Sequence, residues 1–124
     1  MATVQAHVEQ AQRNEAFLES LAIDSTPYLD WAVTVIFYAA LHYLRALFAH
    51  HHVANIARDG DMDKAFARLA VVRQEAGIYN DYRQLKDDSR DARYNMWRPR
   101  LADVVEFRDG ELQRIRSFVL PRLA

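Results

Sequence analysis

One stretch of the chain places cationic and aromatic side chains in a single helical row. Tyr79 and Trp97 stand at its two ends, and successive members are separated by four, three, four, three and four residues. At 3.6 residues per turn, such steps keep side chains along one edge of a helix. Forked guanidinium donors suit phosphate oxygens, and aromatic rings stack on unpaired bases, so this edge predicts a phosphate or nucleobase ligand. The cations between the two rings are Arg83, Lys86, Arg90 and Arg93.

Acidic residues on the same predicted helix leave other interpretations open. Asp81, Asp88 and Asp91 fall in a separate sector, whereas Asp87 lies nearer the cations. The row is therefore also compatible with a solvated face, on which Arg83 and Asp87 pair at i,i+4 and stabilise the helix by only about 0.3 kcal/mol. A dimer interface is a third interpretation, because arginine and aromatic residues are enriched at such surfaces. The spacing alone does not choose among the three.

A second polar row crosses the most apolar segment, residues 31–48. Buried polar groups must find partners, or each costs on the order of 1–3 kcal/mol. The row therefore either forms bonds inside the core or lines a cleft, where His42 would exchange protons near neutral pH and Arg45 would hold phosphate. Spacings of four, four and three relate its members, which are Thr34, Tyr38, His42 and Arg45.

The consecutive residues His50, His51 and His52 do not predict a metal site. Adjacent helical residues point in different directions, so their imidazoles do not converge as residues at i and i+4 would. We interpret them as a frayed helix end whose cations lie near the negative pole of the helix. The chain has no cysteine, which excludes disulfides, thiolate metal sites and cysteine nucleophiles. We expect neither a metal nor a cofactor.

Length and charge narrow the class of protein. With 124 residues, the chain suits one domain spanning 1–124. With 16 basic and 17 acidic residues the net charge is -1, so any affinity for nucleic acid must come from local segregation of charge. The polar N-terminus lacks the apolar core of a signal peptide, and we expect a cytoplasmic protein. Residues 28–49 are long enough to span a membrane, but Asp30, His42 and Arg45 favour a buried bundle helix and no membrane association.

The pattern of apolar residues predicts an all-α fold, an antiparallel bundle of four to five helices. Only three Gly and three Pro occur, and no stretch alternates polar and apolar residues as a strand would. In the fourth helix the packing face comprises Ile78, Tyr82, Leu85, Ser89, Ala92 and Met96. The predicted helices cover 3–22, 27–51, 62–76, 79–98 and 100–120.

Capping residues and breakers set the predicted helix ends. Thr26 supplies a capping hydroxyl before Pro27 at the first position of the second helix, and Asp61 caps the third helix. Gly77 suits a left-handed C-terminal cap, and Pro99 ends the fourth helix because it lacks the amide hydrogen. In the fifth helix, Leu101 is expected to be buried and Gly110 is the weak point.

Two segments resemble small bacterial HEPN proteins. They are WAVTVIFYAALHYLRALF at 31–48 and YRQLKDDSRDARY at 82–94. HEPN proteins carry an aromatic FYA-type helix and later a helix with an Arg-x-x-Arg/Asp-Tyr signature, here 89–94. The similarity extends over about residues 5–120. It implies a helical bundle that often forms homodimers and that binds or cleaves RNA, as toxin ribonucleases and defence components do.

Catalytic members of that family use an arginine followed, after four to six residues, by a histidine near the start of a late helix. No histidine follows His52 in this sequence, and the pair Arg45 and His50 lies at the end of the second helix. The resemblance therefore implies binding of RNA or a nucleotide before it implies cleavage. The residues expected to contact this ligand are Arg83, Lys86, Arg90, Arg93, Tyr94, Trp97 and Arg45.

Two alternatives belong to other functional classes. In one, the row forms a non-catalytic dimerisation surface or binds an operon-encoded partner such as an antitoxin. In the other, the protein is a metal-independent endoribonuclease, with His42 transferring the proton and Arg90 or Arg93 stabilising the phosphate. Convergence of these side chains in one open cleft would favour chemistry, whereas pairing with carboxylates would favour a structural role.

Overall fold

The fold is built around one long apolar helix. The computed structural model describes residues 2–53, 56 and 59–124, and no strand occurs within them. A π-helical segment, Phe107–Leu112, joins the last two α-helices, and a 3-10 turn, Leu120–Leu123, follows them. The all-α class predicted from the sequence is confirmed. The α-helices are α1 (Val4–Ser20), α2 (Leu29–His50), α3 (Asp59–Arg68), α4 (Ala70–Arg73), α5 (Ala76–Tyr94), α6 (Leu101–Glu106) and α7 (Gln113–Val119).

Helix α2 occupies the centre of the bundle. It contacts α1, α5, α6, the π segment and α7, so neighbours cover it on several sides. Helix α1 packs along α2 and buries Ala11 and Leu18, while α5 buries Tyr82 and Leu85. Each such large apolar side chain stabilises the fold by roughly 1.5–3 kcal/mol through burial. The predicted central position of the second helix is confirmed.

By length and composition, α2 is also long and apolar enough to cross a membrane. However, 72% of its most apolar window is buried inside the protein. A core helix has the same length and composition as a membrane span, so this feature is weak evidence for membrane insertion.

The predicted starts of the second and third helices are wrong. Helix α2 begins at Leu29 without a side-chain cap, and the Thr26 hydroxyl accepts a hydrogen bond from the Tyr28 amide (3.1 Å) ahead of the helix. The single third helix predicted over 62–76 is two helices, since extended backbone at Leu69 (φ −102°, ψ 111°) separates α3 from α4. Asp61, the predicted cap, lies inside α3 as its third residue.

Three helices, α1, α2 and α5, are each followed by a residue other than glycine that has left-handed backbone. The predicted cap Gly77 is instead the second residue of α5. The positive-φ residues of the described chain are Ala22 (51°), His52 (57°) and Met96 (58°). At the end of α2, the His52 amide donates to the Ala49 carbonyl (3.0 Å) and the Val53 amide to that of Phe48 (2.9 Å). This Schellman pattern satisfies the carbonyls of Phe48 and Ala49, and the predicted fraying at the histidines stays a prediction.

Helix α5 ends at Tyr94, five residues before the predicted stop at Pro99. The left-handed Met96 turns the chain, and the Trp97 amide donates back to the Asp91 carbonyl (3.2 Å). The predicted packing face of this helix is buried from Ile78 to Ala92, but Met96 is 79% exposed because it lies beyond the helix. Leu101, expected in the core, is exposed as well. We call residues 101–123 the C-terminal rod. Gly110 lies in its π segment, where the backbone departs from α geometry.

Two ion-pair networks join helices that are distant in sequence. Asp81 of α5 is buried and accepts two hydrogen bonds from the Arg114 guanidinium, both 2.8 Å, and Arg114 also donates to Glu111 (3.0 Å). The hydrogen bond to Asp81 raises the pKa of Arg114. In the other network, Glu15 of α1 accepts from the Tyr43 hydroxyl (2.7 Å) and from Arg116 (2.8 Å). These bonds fix α5 and α1 to the C-terminal rod.

Replacing Asp81 by Asn should weaken the attachment of α5 to the rod. The Asp81→Asn variant removes the carboxylate that receives the forked guanidinium, and we expect the free energy of unfolding to fall by about 1–2 kcal/mol, since Arg114 is half exposed. Urea denaturation would measure the loss. The matched control is Asp109→Asn, which breaks the exposed pair with Arg108 (2.8 Å) and should leave stability within error. Equal losses in the two variants would contradict a structural role for the Asp81 bond.

Candidate nucleic-acid interface

Arg93 of α5 lies on an aromatic surface supplied largely by α2. Its guanidinium carbon is 5.4 Å from the ring centre of Tyr38, 5.3 Å from that of Tyr94 and 5.8 Å from that of Phe37. Nη1 donates to the Tyr38 hydroxyl (2.5 Å), and Nε donates to the Ser89 carbonyl (3.2 Å). Among the described residues, no carboxylate pairs with it. Neutral oxygens and ring faces therefore hold this cation and leave its charge available to an anion.

Arg90 stands beside Arg93 at the same open groove, which we call the arginine groove. Arg90 is exposed, and it makes no hydrogen bond or ion pair within the part of the chain that the structure describes. The Tyr94 ring is 70% exposed. Two guanidinium groups and an accessible ring thus line a space of about 470 Å³. The residues lining the arginine groove are Phe37, Tyr38, Arg90, Arg93, Tyr94 and Asn95.

Arg83, in the N-terminal half of the predicted row, is neutralised by two aspartates. Arg83 forms ion pairs with Asp63 (3.5 Å) and Asp87 (3.9 Å), and Asp87 has the largest effect in raising the pKa of Arg83. The Tyr79 hydroxyl donates to Asp63 (3.2 Å). For this half, the structure agrees with the solvated-face interpretation. Lys86 is half-buried and does not line the arginine groove.

Trp97 does not lie beside Arg93, so the prediction that its ring stands at the C-terminal end of the cationic row is wrong. It lies past the end of α5, and its ring packs against Phe107 with 6.5 Å between ring centres. It lines a different cavity, among carboxylates that include Asp88 and Asp103. The helical spacing fails here because Met96 reverses the backbone before Trp97.

The polar row of α2 finds its partners on three elements. The Thr34 hydroxyl donates to the Asp30 carbonyl one turn earlier (2.8 Å), Tyr38 accepts from Arg93, and His42 contacts His7 of α1. None of these partners is a carboxylate side chain. The row also opens partly to solvent, since Thr34, Tyr38 and His42 line a groove of about 350 Å³ between α1 and α2.

We call this second space the aromatic groove. It shares Tyr38 with the arginine groove, so the two spaces adjoin. The exposed rings of Phe17 and Trp31 form much of its surface. Its lining residues are Gln10, Asn14, Phe17, Trp31, Thr34, Val35, Tyr38 and His42.

His42 and the two arginines occupy neighbouring grooves instead of one. The Nδ1 atoms of His42 and His7 are 3.1 Å apart, and their rings stack with centres separated by 5.4 Å. Burial, followed by His7 and Arg45, lowers the pKa of His42 to about 4. Proton transfer is most efficient when the pKa lies near the working pH, so His42 is poorly matched to the catalytic role predicted for it.

Arg45 lies apart from both grooves. Its Nε is buried without a hydrogen-bond partner, and its charge contributes to the lowered pKa of His7 and of His42. The predicted contact between Arg45 and a phosphate has no support from this geometry. Over the described residues, no group of three or more His, Asp or Glu side chains is arranged to hold a metal ion.

Tyr38 contributes more to the interface than the sequence predicts. It was visible only as a polar member of an apolar helix, and nothing in the sequence connects it with Arg93, 55 residues away. The sequence pattern predicts no functional role for four further residues of the aromatic groove, which are Phe17, Trp31, Gln10 and Asn14. The available signal was the placement of large rings at positions of α1 and α2 outside their apolar faces.

Comparison of the chain with protein-family profiles, with curated proteins and with solved structures found no match. Inference about function therefore depends on the geometry of the two grooves.

The contact between His7 and His42 predicts that stability depends on pH. One ring must donate and the other accept, and the folded-state pKa of His42 is below the value of 6.5 for an unfolded chain. Its contribution to stability is therefore complete above pH 6.5 and is lost as the pH falls towards 4. We expect a loss on the order of 1 kcal/mol, discounted for partial exposure of the ring, and a fall in Tm of a few degrees.

Urea denaturation between pH 7 and pH 4 would measure this loss. The double variant with His7→Asn and His42→Asn titrates at neither position and should show a flatter dependence on pH. His51→Asn, at an exposed position, is the matched control and should behave as the wild type does. Parallel pH profiles for the wild type and the double variant would contradict the prediction.

Proposed function

We propose that this chain is a HEPN-like helical domain that binds single-stranded RNA or a nucleotide through the arginine groove. The observation that carries the proposal is that two guanidinium groups, those of Arg90 and Arg93, have no carboxylate partner among the described residues and lie at a groove that also exposes the ring of Tyr94. Among the described residues, six other arginines form ion pairs with an aspartate or a glutamate. A groove with free cations and rings favours a ligand that has both phosphates and π faces.

The two arginines are suited to different parts of this task. Arg90 is exposed and unpaired, so its forked donors can follow a phosphate of variable position. Arg93 is already held by Tyr38 and Ser89, which lowers the entropy lost when it contacts a ligand. Stacking of a base on an exposed ring such as Tyr94 contributes roughly 1–3 kcal/mol. Because the net charge is -1, attraction is local and should depend strongly on salt.

The position of the signature segment supports the HEPN-like assignment. Arg90, Arg93 and Tyr94 belong to the Arg-x-x-Arg/Asp-Tyr segment, and all three line the arginine groove. The all-α class agrees with that family's bundle. Binding is favoured over cleavage, because His42 lines the other groove and its pKa is lowered to about 4.

A second candidate is a protein interface. Tyr94 is 70% exposed and Met96 is 79% exposed at the end of α5, close in sequence to Arg90 and Arg93. Aromatic residues, Met and Arg are the side chains enriched at the centres of such interfaces. In this case a second copy of the chain, or an operon-encoded partner such as an antitoxin, would cover the arginine groove.

Replacing Arg90 by Ala tests the proposed function without disturbing the fold, since Arg90 has no bonded partner in the described structure. We expect the affinity for a fluorescently labelled oligouridylate to fall roughly five- to tenfold at low salt. The slope of log K against log salt should decrease in magnitude by about 0.7 for each lost phosphate contact. Fluorescence anisotropy at several salt concentrations measures both quantities.

Arg83→Ala is the matched control on the same helix. Asp63 and Asp87 already neutralise Arg83, so this variant should bind as the wild type does. Equal losses for the two variants would indicate only a general effect of charge and would overturn the proposed site. Absence of RNA binding, together with dissociation of an oligomer on Arg90→Ala substitution in light scattering, would favour the protein interface.

A further inference from the structure

The aromatic groove has walls suited to a flat, uncharged ring. Phe17 of α1 is 51% exposed and Trp31 of α2 is 57% exposed, and both line the groove. None of its lining residues is Asp, Glu, Lys or Arg. His42, the one titratable imidazole there, is kept neutral at pH 7 by its lowered pKa. The volume of the aromatic groove, about 350 Å³, lies at the lower end of the range for small-molecule sites.

Two amide side chains at this groove provide both hydrogen-bond donors and hydrogen-bond acceptors. Gln10 Nε2 donates to Asn14 Oδ1 at 2.9 Å. This contact orients the two amides and leaves the Gln10 carbonyl oxygen and the Asn14 amide hydrogens for other partners. Paired donors and acceptors of this kind recognise the edges of nucleobases, whereas an apolar peptide side chain would leave them unused.

The aromatic groove and the arginine groove share one lining residue. Tyr38 lines both, and its hydroxyl accepts the hydrogen bond from Arg93. A strand with phosphates at Arg90 and Arg93 can therefore extend past Tyr38 into the aromatic groove without leaving the surface. A mononucleotide held at the arginines would not fill the second space.

We propose that the aromatic groove holds an unpaired nucleobase of the strand whose phosphates contact Arg90 and Arg93. This inference rests on the proposed function and narrows its ligand to a single-stranded oligonucleotide instead of a mononucleotide. Phe17 and Trp31 supply the stacking surfaces, and Gln10 and Asn14 supply hydrogen bonds to the base edge.

Tryptophan fluorescence reports on the aromatic groove directly. The chain has two tryptophans, and Trp97 lies in a different cavity, so a Trp97→Phe variant leaves Trp31 as the only indole. We expect a short oligoadenylate to quench Trp31 with the same midpoint as anisotropy shows for binding. AMP at the same phosphate concentration should produce much weaker binding and little quenching.

Substitution of Trp31 separates stacking from charge. Trp31→Ala should weaken oligoadenylate binding roughly five- to a hundredfold, as expected for loss of one stacked base, with the salt dependence unchanged. Trp31→Phe should retain most of the affinity, since a phenyl ring still offers a π face. The matched control is Tyr28→Ala, because the Tyr28 ring is 58% exposed but lines neither groove.

The outcomes distinguish this inference from the proposed function. If the oligonucleotide binds and Arg90→Ala weakens it, but Trp31→Ala leaves the affinity unchanged and the oligonucleotide does not quench Trp31 in the Trp97→Phe variant, the nucleobase site is overturned and the arginine groove stands. If AMP binds but no oligonucleotide does, only the nucleobase site is overturned. If neither binds, both are overturned. If Trp31→Ala leaves nucleotide affinity unchanged and instead converts a dimer to a monomer in light scattering, the aromatic groove is an interface between copies and the nucleobase site is overturned.

Discussion

The burial of α2 constrains the rest of this protein, because three of its polar side chains take their hydrogen-bond partners from other helices that cover it. Tyr43 donates to Glu15, His42 contacts His7, and Tyr38 accepts from Arg93. For Tyr43, which is buried, the bond satisfies a hydroxyl that would otherwise cost on the order of 1–3 kcal/mol. Each of the three bonds also connects α2 to a neighbouring helix, so satisfying the polar groups orients the neighbours at the same time.

The same constraint creates the candidate interface. The rings of Phe37 and Tyr38 form the surface on which Arg93 lies, and Tyr38 continues into the space between α1 and α2. The two grooves therefore follow from the edges of one helix that its neighbours do not completely cover. This arrangement allows one ligand to contact cationic and aromatic surfaces together.

The arginines of this chain have two physical roles, although residue type alone does not distinguish them. Arg114 and Arg116 donate to partly buried carboxylates and hold helices together, and Arg83 is matched by two aspartates. Arg90 and Arg93 lack such partners in the described part of the chain. A net charge near zero is thus compatible with a local cationic groove, since neutralisation takes place elsewhere in the fold.

What the sequence by itself determined is the class of fold and the faces of its helices, because the periodicity of apolar residues acts over a few turns. It predicted the buried side of α5 from Ile78 to Ala92, and it placed Arg90 and Arg93 on one edge. The tertiary structure alone decided that Asp63 joins Asp87 in neutralising Arg83, that Asp81 is buried and paired with Arg114, and that Trp97 leaves the row. It also decided where α3 ends and brought Tyr38 to Arg93. These features depend on backbone turns that are not periodic and on partners tens of residues away, which helical spacing cannot report.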